Sequence, residues 1–115
     1  MKHRNGNKKL NKPTDQRLAM LKSIVISLVN FNQITTTTLR AKEAKKIVER
    51  LITIAKTNTV HSKRQVFKVI NNKEFVKKIF AIAEKFKDKN GGYTRLIKKG
   101  IRRGDAAELS MIEFV

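Results

Sequence analysis

The chain has 115 residues, 40% of them hydrophobic, which is enough for one domain with a real core and excludes a wholly disordered basic tail. Lys and Arg number 27 against nine Asp and Glu, a formal net charge of +18. So much charge suits a polyphosphate backbone and excludes small anionic metabolites as the natural partner. Cysteine is absent, which removes disulfides, thiolate nucleophiles and thiolate metal sites.

Met1 to Lys12 is polar and basic, has no periodicity, and reads as an extended arm over residues 1–13 that a partner orders. A basic segment before an apolar stretch also resembles a signal peptide, but Lys22, Ser23 and Ser27 interrupt that stretch and no small-x-small cleavage site follows. No apolar run approaches the ~18 residues of a membrane span, so a cytoplasmic protein with no membrane contact is expected.

Pro13 marks the boundary of a single α+β domain over residues 14–115, with Thr14 as expected N-cap and Asp15 in the first turn. A first helix runs to Phe31, with Leu18, Leu21, Ile24, Val25, Leu28 and Phe31 on one broad face. Ile34 and the threonines after it favour a short strand, Ile34–Thr37, and Thr38 is placed to cap the next helix. From Leu39 to Lys56, Ala41, Ala44, Ile47, Val48, Leu51, Ile52 and Ala55 repeat at helical spacing, with charged residues opposite. A third helix is expected over His61–Ile70, presenting Val66, Phe67, Val69 and Ile70. Asn71 with Glu74 resembles a capping box for a fourth helix ending near Lys87. Its inward residues are Phe75, Val76, Ile79, Phe80, Ala83 and Phe86. After Asn90-Gly91-Gly92, strands over Tyr93–Lys99 and Leu109–Val115 flank a Gly-rich loop and form a hairpin, whose edge the early strand can join. The expected result is about four helices packed against a small three-stranded sheet.

Catalysis is poorly supplied. His3 and His61 lack partners at metal-ligand spacing, and the serines lack a base. Asp105 and Glu108 are the closest carboxylates, but loop acids of this kind serve turns more often than acid–base chemistry. Gly91-Gly92 lacks the Lys and Ser/Thr of a phosphate-cradling loop. No enzyme, cofactor, metal or small-molecule substrate is expected.

Binding is well supplied, by three basic groups. The arm contributes Lys2, His3, Arg4, Lys8, Lys9, Lys12 and Arg17. The second helix offers Arg40, Lys42, Lys45, Lys46 and Arg50, although Glu43 and Glu49 can form pairs along it. The hairpin offers Arg95, Lys98, Lys99, Arg102 and Arg103, the last two between glycines that allow close approach to phosphates. Tyr93 is a candidate for stacking on a base, weighed against packing in the core. Aromatic content of 6% and the lack of a recognition-helix motif favour readout of RNA shape and backbone over base stacking or groove reading.

Several segments carry a resemblance. They are Met1-Lys2-His3-Arg4, Leu10-Asn11 with Arg17, Ile34-Thr35-Thr36-Thr37 before Ala41-Lys42-Glu43, and Leu51-Ile52-Thr53-Ile54-Ala55-Lys56. To these are added Gly91-Gly92-Tyr93-Thr94-Arg95, Arg103-Gly104-Asp105 and Ile112-Glu113-Phe114-Val115. In order and nearly end to end, they resemble the family of bacterial large-subunit ribosomal protein seventeen. The departures are Lys2 where that family usually has Arg and Ala106 where Asn is common. The resemblance implies a structural component of the large ribosomal subunit near the exit-tunnel side, bound to large-subunit ribosomal RNA and touching neighbouring ribosomal proteins. It also implies RNA contacts along the arm from Lys2 to Arg17, the start of the second helix and the Gly91–Gly104 region. The alternatives are a DNA-binding architectural protein, for which no wedge residue or dimer seam is apparent, and an RNA-processing enzyme.

Overall fold

The computed structural model describes residues 10–115. Its elements in chain order are α1 (Thr14–Phe31), β1 (Gln33–Thr37), α2 (Thr38–Ala55), α3 (Val60–Ile70), α4 (Lys73–Lys85), β2 (Thr94–Ile101) and β3 (Glu108–Phe114). The sheet has the order β1-β3-β2, antiparallel throughout. The α+β arrangement of four helices and a three-stranded sheet is therefore as expected. Residues 1–9 of the expected arm lie outside the described residues; in its remainder, Leu10 and Asn11 turn the chain with left-handed φ of 50° and 56° just before α1.

The core is built from the apolar stripes of the four helices closed by one face of the sheet. Val25 and Leu28 of α1, Val48 and Ile52 of α2, Val66 and Ile70 of α3, Ile79 of α4 and Ile112 of β3 form one buried cluster. Burial of one such aliphatic side chain stabilises the fold by about 1.5–3 kcal/mol. In α1 the buried set is Leu21, Val25, Leu28 and Val29, whereas Leu18 and Phe31 are exposed. The buried stripe is narrower than the expected broad face and centres on Leu21, Val25 and Leu28. In α3, Val66 and Ile70 are buried but Phe67 and Val69 are exposed, so the helix is less enclosed than its apolar content suggested.

Three expected caps are corrected. Pro13 occupies the N-cap position of α1 and Thr14 is the first helical residue; no side chain caps that end, and the Pro13 carbonyl accepts from the Arg17 amide at 2.9 Å. Thr38 is likewise inside α2, because its hydroxyl is used across the fold and not at the helix end. Asn71 terminates α3 in the left-handed region (φ 58°), and Asn72 caps α4, accepting from the Glu74 and Phe75 amides. The true capping box is Thr59 with Ser62 at the start of α3. The fourth helix also ends at Lys85 with Phe86 as its C-cap, ahead of the expected Lys87.

Candidate nucleic-acid interface

Three sets of bonds fasten the β2–β3 hairpin to α2. At one end of the helix, the buried Thr38 and Ser110 hydroxyls lie 2.7 Å apart, and Thr38 Oγ1 also donates to the Glu108 carbonyl at 3.3 Å. Near its middle, the Glu49 carboxylate accepts from the Thr94 amide at 3.2 Å and the Thr94 hydroxyl at 2.8 Å. Toward its far end, Lys56 Nζ donates to the Tyr93 hydroxyl at 3.3 Å and to the Lys89 carbonyl, and Thr53 donates weakly to the same phenol at 3.4 Å. The Thr53 hydrogen bond, against the opposing effect of burial, and then the nearby Lys56 ammonium lower the pKa of Tyr93.

These fastenings place the basic residues. Lys42, Lys45 and Lys46 precede Glu49 by seven, four and three residues, so they share its strip of the helix. That strip runs from the Thr94 contact back toward the Thr38–Ser110 contact, alongside β2. Lys42, Lys45 and Lys46 therefore flank the hairpin that carries Lys98 and Lys99. Arg40 lies nine residues from Glu49, about half a circumference away at 3.6 residues per turn, on the opposite side of α2. Arg50 sits between these faces and is exposed.

The hairpin itself is shaped to present charge. Lys98 pairs across the sheet with Ser110 and Gly100 with Leu109, leaving Lys99 as the extra residue of a bulge. Gly100 carries a φ of +114°, which a side-chain-bearing residue rarely adopts. At the tip, Arg102 Nε donates to Asp105 Oδ1 at 3.0 Å and Nη2 donates to Oδ2. The same carboxylate accepts from the Ala107 amide at 3.3 Å. The Arg102 guanidinium, helped by that amide, holds the Asp105 carboxyl down to about 2, and the pairing raises Arg102.

The carboxylates sort the cations into two kinds. Lys46 is paired with Glu43 at 3.0 Å, Arg95 with Glu113 at 2.6 Å, Lys98 with Glu108 at 3.4 Å, and Arg102 with Asp105. Among the described residues Lys42, Lys45, Arg50, Lys99 and Arg103 have no such partner. Arg102 thus closes the tip, and of the two arginines between the glycines it is Arg103 that stands free. Glu49, expected to pair along its own helix, is instead a bolt between α2 and β2.

Of the two roles weighed for Tyr93, the structure gives packing in the core. The residue is 1% exposed, with its ring centroid 5.3 Å from that of Phe86, so neither ring face is open to a base. Lys12 and Arg17 are half-buried near the start of α1, while Lys2, His3, Arg4, Lys8 and Lys9 lie outside the described residues. Asp105 and Glu108 are each engaged by a cation, and among the described residues no three His, Asp or Glu side chains converge on a metal-sized site. No helix among those residues is long and apolar enough to cross a membrane. A further basic group, beyond the three evident in the sequence, is Lys63, Arg64, Lys68, Lys73 and Lys77 on α3 and α4. Its signal was present as cations at helical spacing beside Val60 and Phe67.

Comparison with known proteins places the sequence among its relatives. The sequence profile described as Ribosomal protein L17 matches residues 20–115. A Dictyoglomus thermophilum protein named large ribosomal subunit protein bL17 is 53% identical over the whole of both chains. Proteins of the same name from Fusobacterium nucleatum and Campylobacter jejuni subsp. doylei are 47% and 49% identical, over all of this chain and at least 99% of theirs. With a profile match over residues 20–115 and relatives about half identical along the whole chain, the chain belongs to the ribosomal protein L17 family.

Proposed function

We propose that the chain is a structural, non-catalytic constituent of the large ribosomal subunit in the bacterial cytoplasm, and that it holds large-subunit ribosomal RNA by phosphate-backbone and shape contacts. The observation that carries the reading is the rigid α2–hairpin unit, which keeps the unpaired cations Lys42, Lys45, Lys99 and Arg103 on connected elements. Such a surface needs little reordering to meet a phosphate array, so its charge is available at low entropic cost. Arg50 widens the surface, and the arm over residues 1–13 extends it along the RNA, with Lys12 and Arg17 at its root. Lys46, Arg95, Lys98 and Arg102 contribute less per residue, because binding phosphate means sharing or releasing a carboxylate. Arg40, on the other side of α2, meets a different stretch of RNA or a neighbouring ribosomal protein.

The test is the salt dependence of binding to a ribosomal RNA fragment. The log–log slope is expected to be steep, near −0.7 to −0.9 per neutralised phosphate. Lys99→Ala and Arg103→Ala are each expected to flatten it by about one contact, and Arg102→Ala by less. Equal effects of Arg102 and Arg103 would remove the distinction between paired and free cations. A duplex DNA competitor as effective as RNA would favour the architectural DNA-binding alternative.

A further inference from the structure

We infer that the groove between α3 and α4 is a docking site for a short acidic amphipathic helix of a partner protein. The two helices, joined by Asn71-Asn72, enclose an open groove of about 670 Å³. Its apolar lining is Val60, Phe67, Val76 and Phe80. Val60 is 65% exposed and Phe67 40%, although both are large and apolar. Cations flank this lining: Lys63, Arg64 and Lys68 from α3, Lys73 and Lys77 from α4. No carboxylate lines it.

The spacing gives the groove its form. Residues 60, 63, 64, 67 and 68 follow one helical stripe, and 73, 76, 77 and 80 follow another. Each stripe interleaves apolar and basic side chains, so the groove is an apolar channel with positive edges. Lys63 Nζ lies over the Phe80 ring, 5.9 Å from its centre, so cation and apolar wall meet within the groove. From Val60 to Lys68 the α3 stripe spans about 12 Å, the length of about two turns of a partner helix.

Charge and polarity select the occupant. A second copy of this chain would bring another +18 to a basic rim, and the arm would bring further Lys and Arg. A phosphate backbone would meet the lysine heads but leave Val60 and Phe67 wet. An amphipathic helix with Leu or Phe on one face and Glu or Asp beside it satisfies both the channel and the rim. This surface is distinct from the α2–hairpin unit, so occupation of one does not require the other.

The probe is a fluorescein-labelled synthetic peptide of about 14 residues with Leu at helical spacing and Glu on its remaining surface, titrated with the full chain. A scramble of the same composition and charge is the control, at about 0.15 M salt to screen general attraction. The amphipathic peptide is expected to bind at least about tenfold more tightly than the scramble. Val60→Ser is expected to abolish that difference with the melting temperature nearly unchanged, and Phe67→Ser to abolish it while the chain stays folded with a melting temperature lower by a few degrees. Equal binding of the scramble would overturn the proposal, as would persistence of the difference in both variants. A labelled uridine oligonucleotide whose binding is weakened by these substitutions, when the peptide's is not, would assign the groove to RNA.

Discussion

The contact between Thr38 and Ser110 joins residues 72 positions apart, and its energetics can be worked out atom by atom. Thr38 Oγ1 donates to the Glu108 carbonyl, which leaves the Ser110 hydroxyl to donate to Thr38 Oγ1. Ser110 is 0% exposed and Thr38 5%, so water does not readily replace either partner. Thr38→Val keeps the shape but removes the shared oxygen, stranding the Ser110 hydroxyl at a cost of about 2 kcal/mol. Ser110→Ala removes only the outer donor and leaves the Thr38–Glu108 bond, costing about 1 kcal/mol. The double variant contains no stranded hydroxyl and is expected to lose about 1 kcal/mol, less than Thr38→Val alone and well below the sum of the single effects. Urea unfolding of the full chain at fixed salt measures all three, with the denaturant slope unchanged. A double variant whose loss equals the sum of the singles would refute the shared-oxygen reasoning. A Thr38→Val variant as stable as the parent would show that the hydroxyls do not fasten α2 to β3.

Three other outcomes follow from local structure. Ala106 is exposed with a φ of 56°, a conformation that costs alanine about 1 kcal/mol or more, so Ala106→Asn is expected to raise the melting temperature by a few degrees; a lower value would refute the strain. The Asp105 carboxyl, held at about 2, keeps its bonds at all pH values above the ordinary carboxylate range and loses them as pH falls through about 2. Carbon-13 NMR of that carboxyl should show the low midpoint, and a midpoint near the unperturbed 3.8 would deny the tip pairing. Deleting residues 1–12 is expected to leave the melting temperature nearly unchanged but weaken incorporation into large subunits; unfolding of the truncated chain would place the arm in the core.

The helices were legible where local pattern and tertiary demand agree. In α2 the apolar residues recur at helical spacing and the structure buries Ala41, Ala44, Val48, Leu51, Ile52 and Ala55 as that pattern requires. Errors cluster where one residue type suits two roles. Asn71 and Asn72 are chemically identical, and both a left-handed helix end and an N-cap favour Asn, so the sequence leaves their order open. Thr38 has the chemistry of a cap, but a serine far along the chain claims its hydroxyl. Composition made the basic groups legible at once. Which cations are free was legible only in part: Lys46–Glu43 and Arg102–Asp105 are local i,i+3 pairs, but the other two depend on the register that sets Glu113 opposite Arg95 and Glu108 near Lys98.

That sorting bears on how a strongly basic protein keeps a defined surface before RNA arrives. Five of its nine carboxylates, Glu43, Glu49, Asp105, Glu108 and Glu113, lie on α2 or the hairpin, the elements richest in candidate RNA contacts. As bulk neutralisation they are inefficient, since exposed pairs contribute little to stability. Their effect is geometric: Glu49 fixes the distance between helix and strand, and Asp105 folds the tip by bonding both a guanidinium and an amide. Without them, mutual repulsion would drive Lys42, Lys45, Lys99 and Arg103 toward the most separated arrangement the backbone allows. With them, the spacing of the free cations is set by the fold, so the positive charges meet RNA as a pattern in addition to a total.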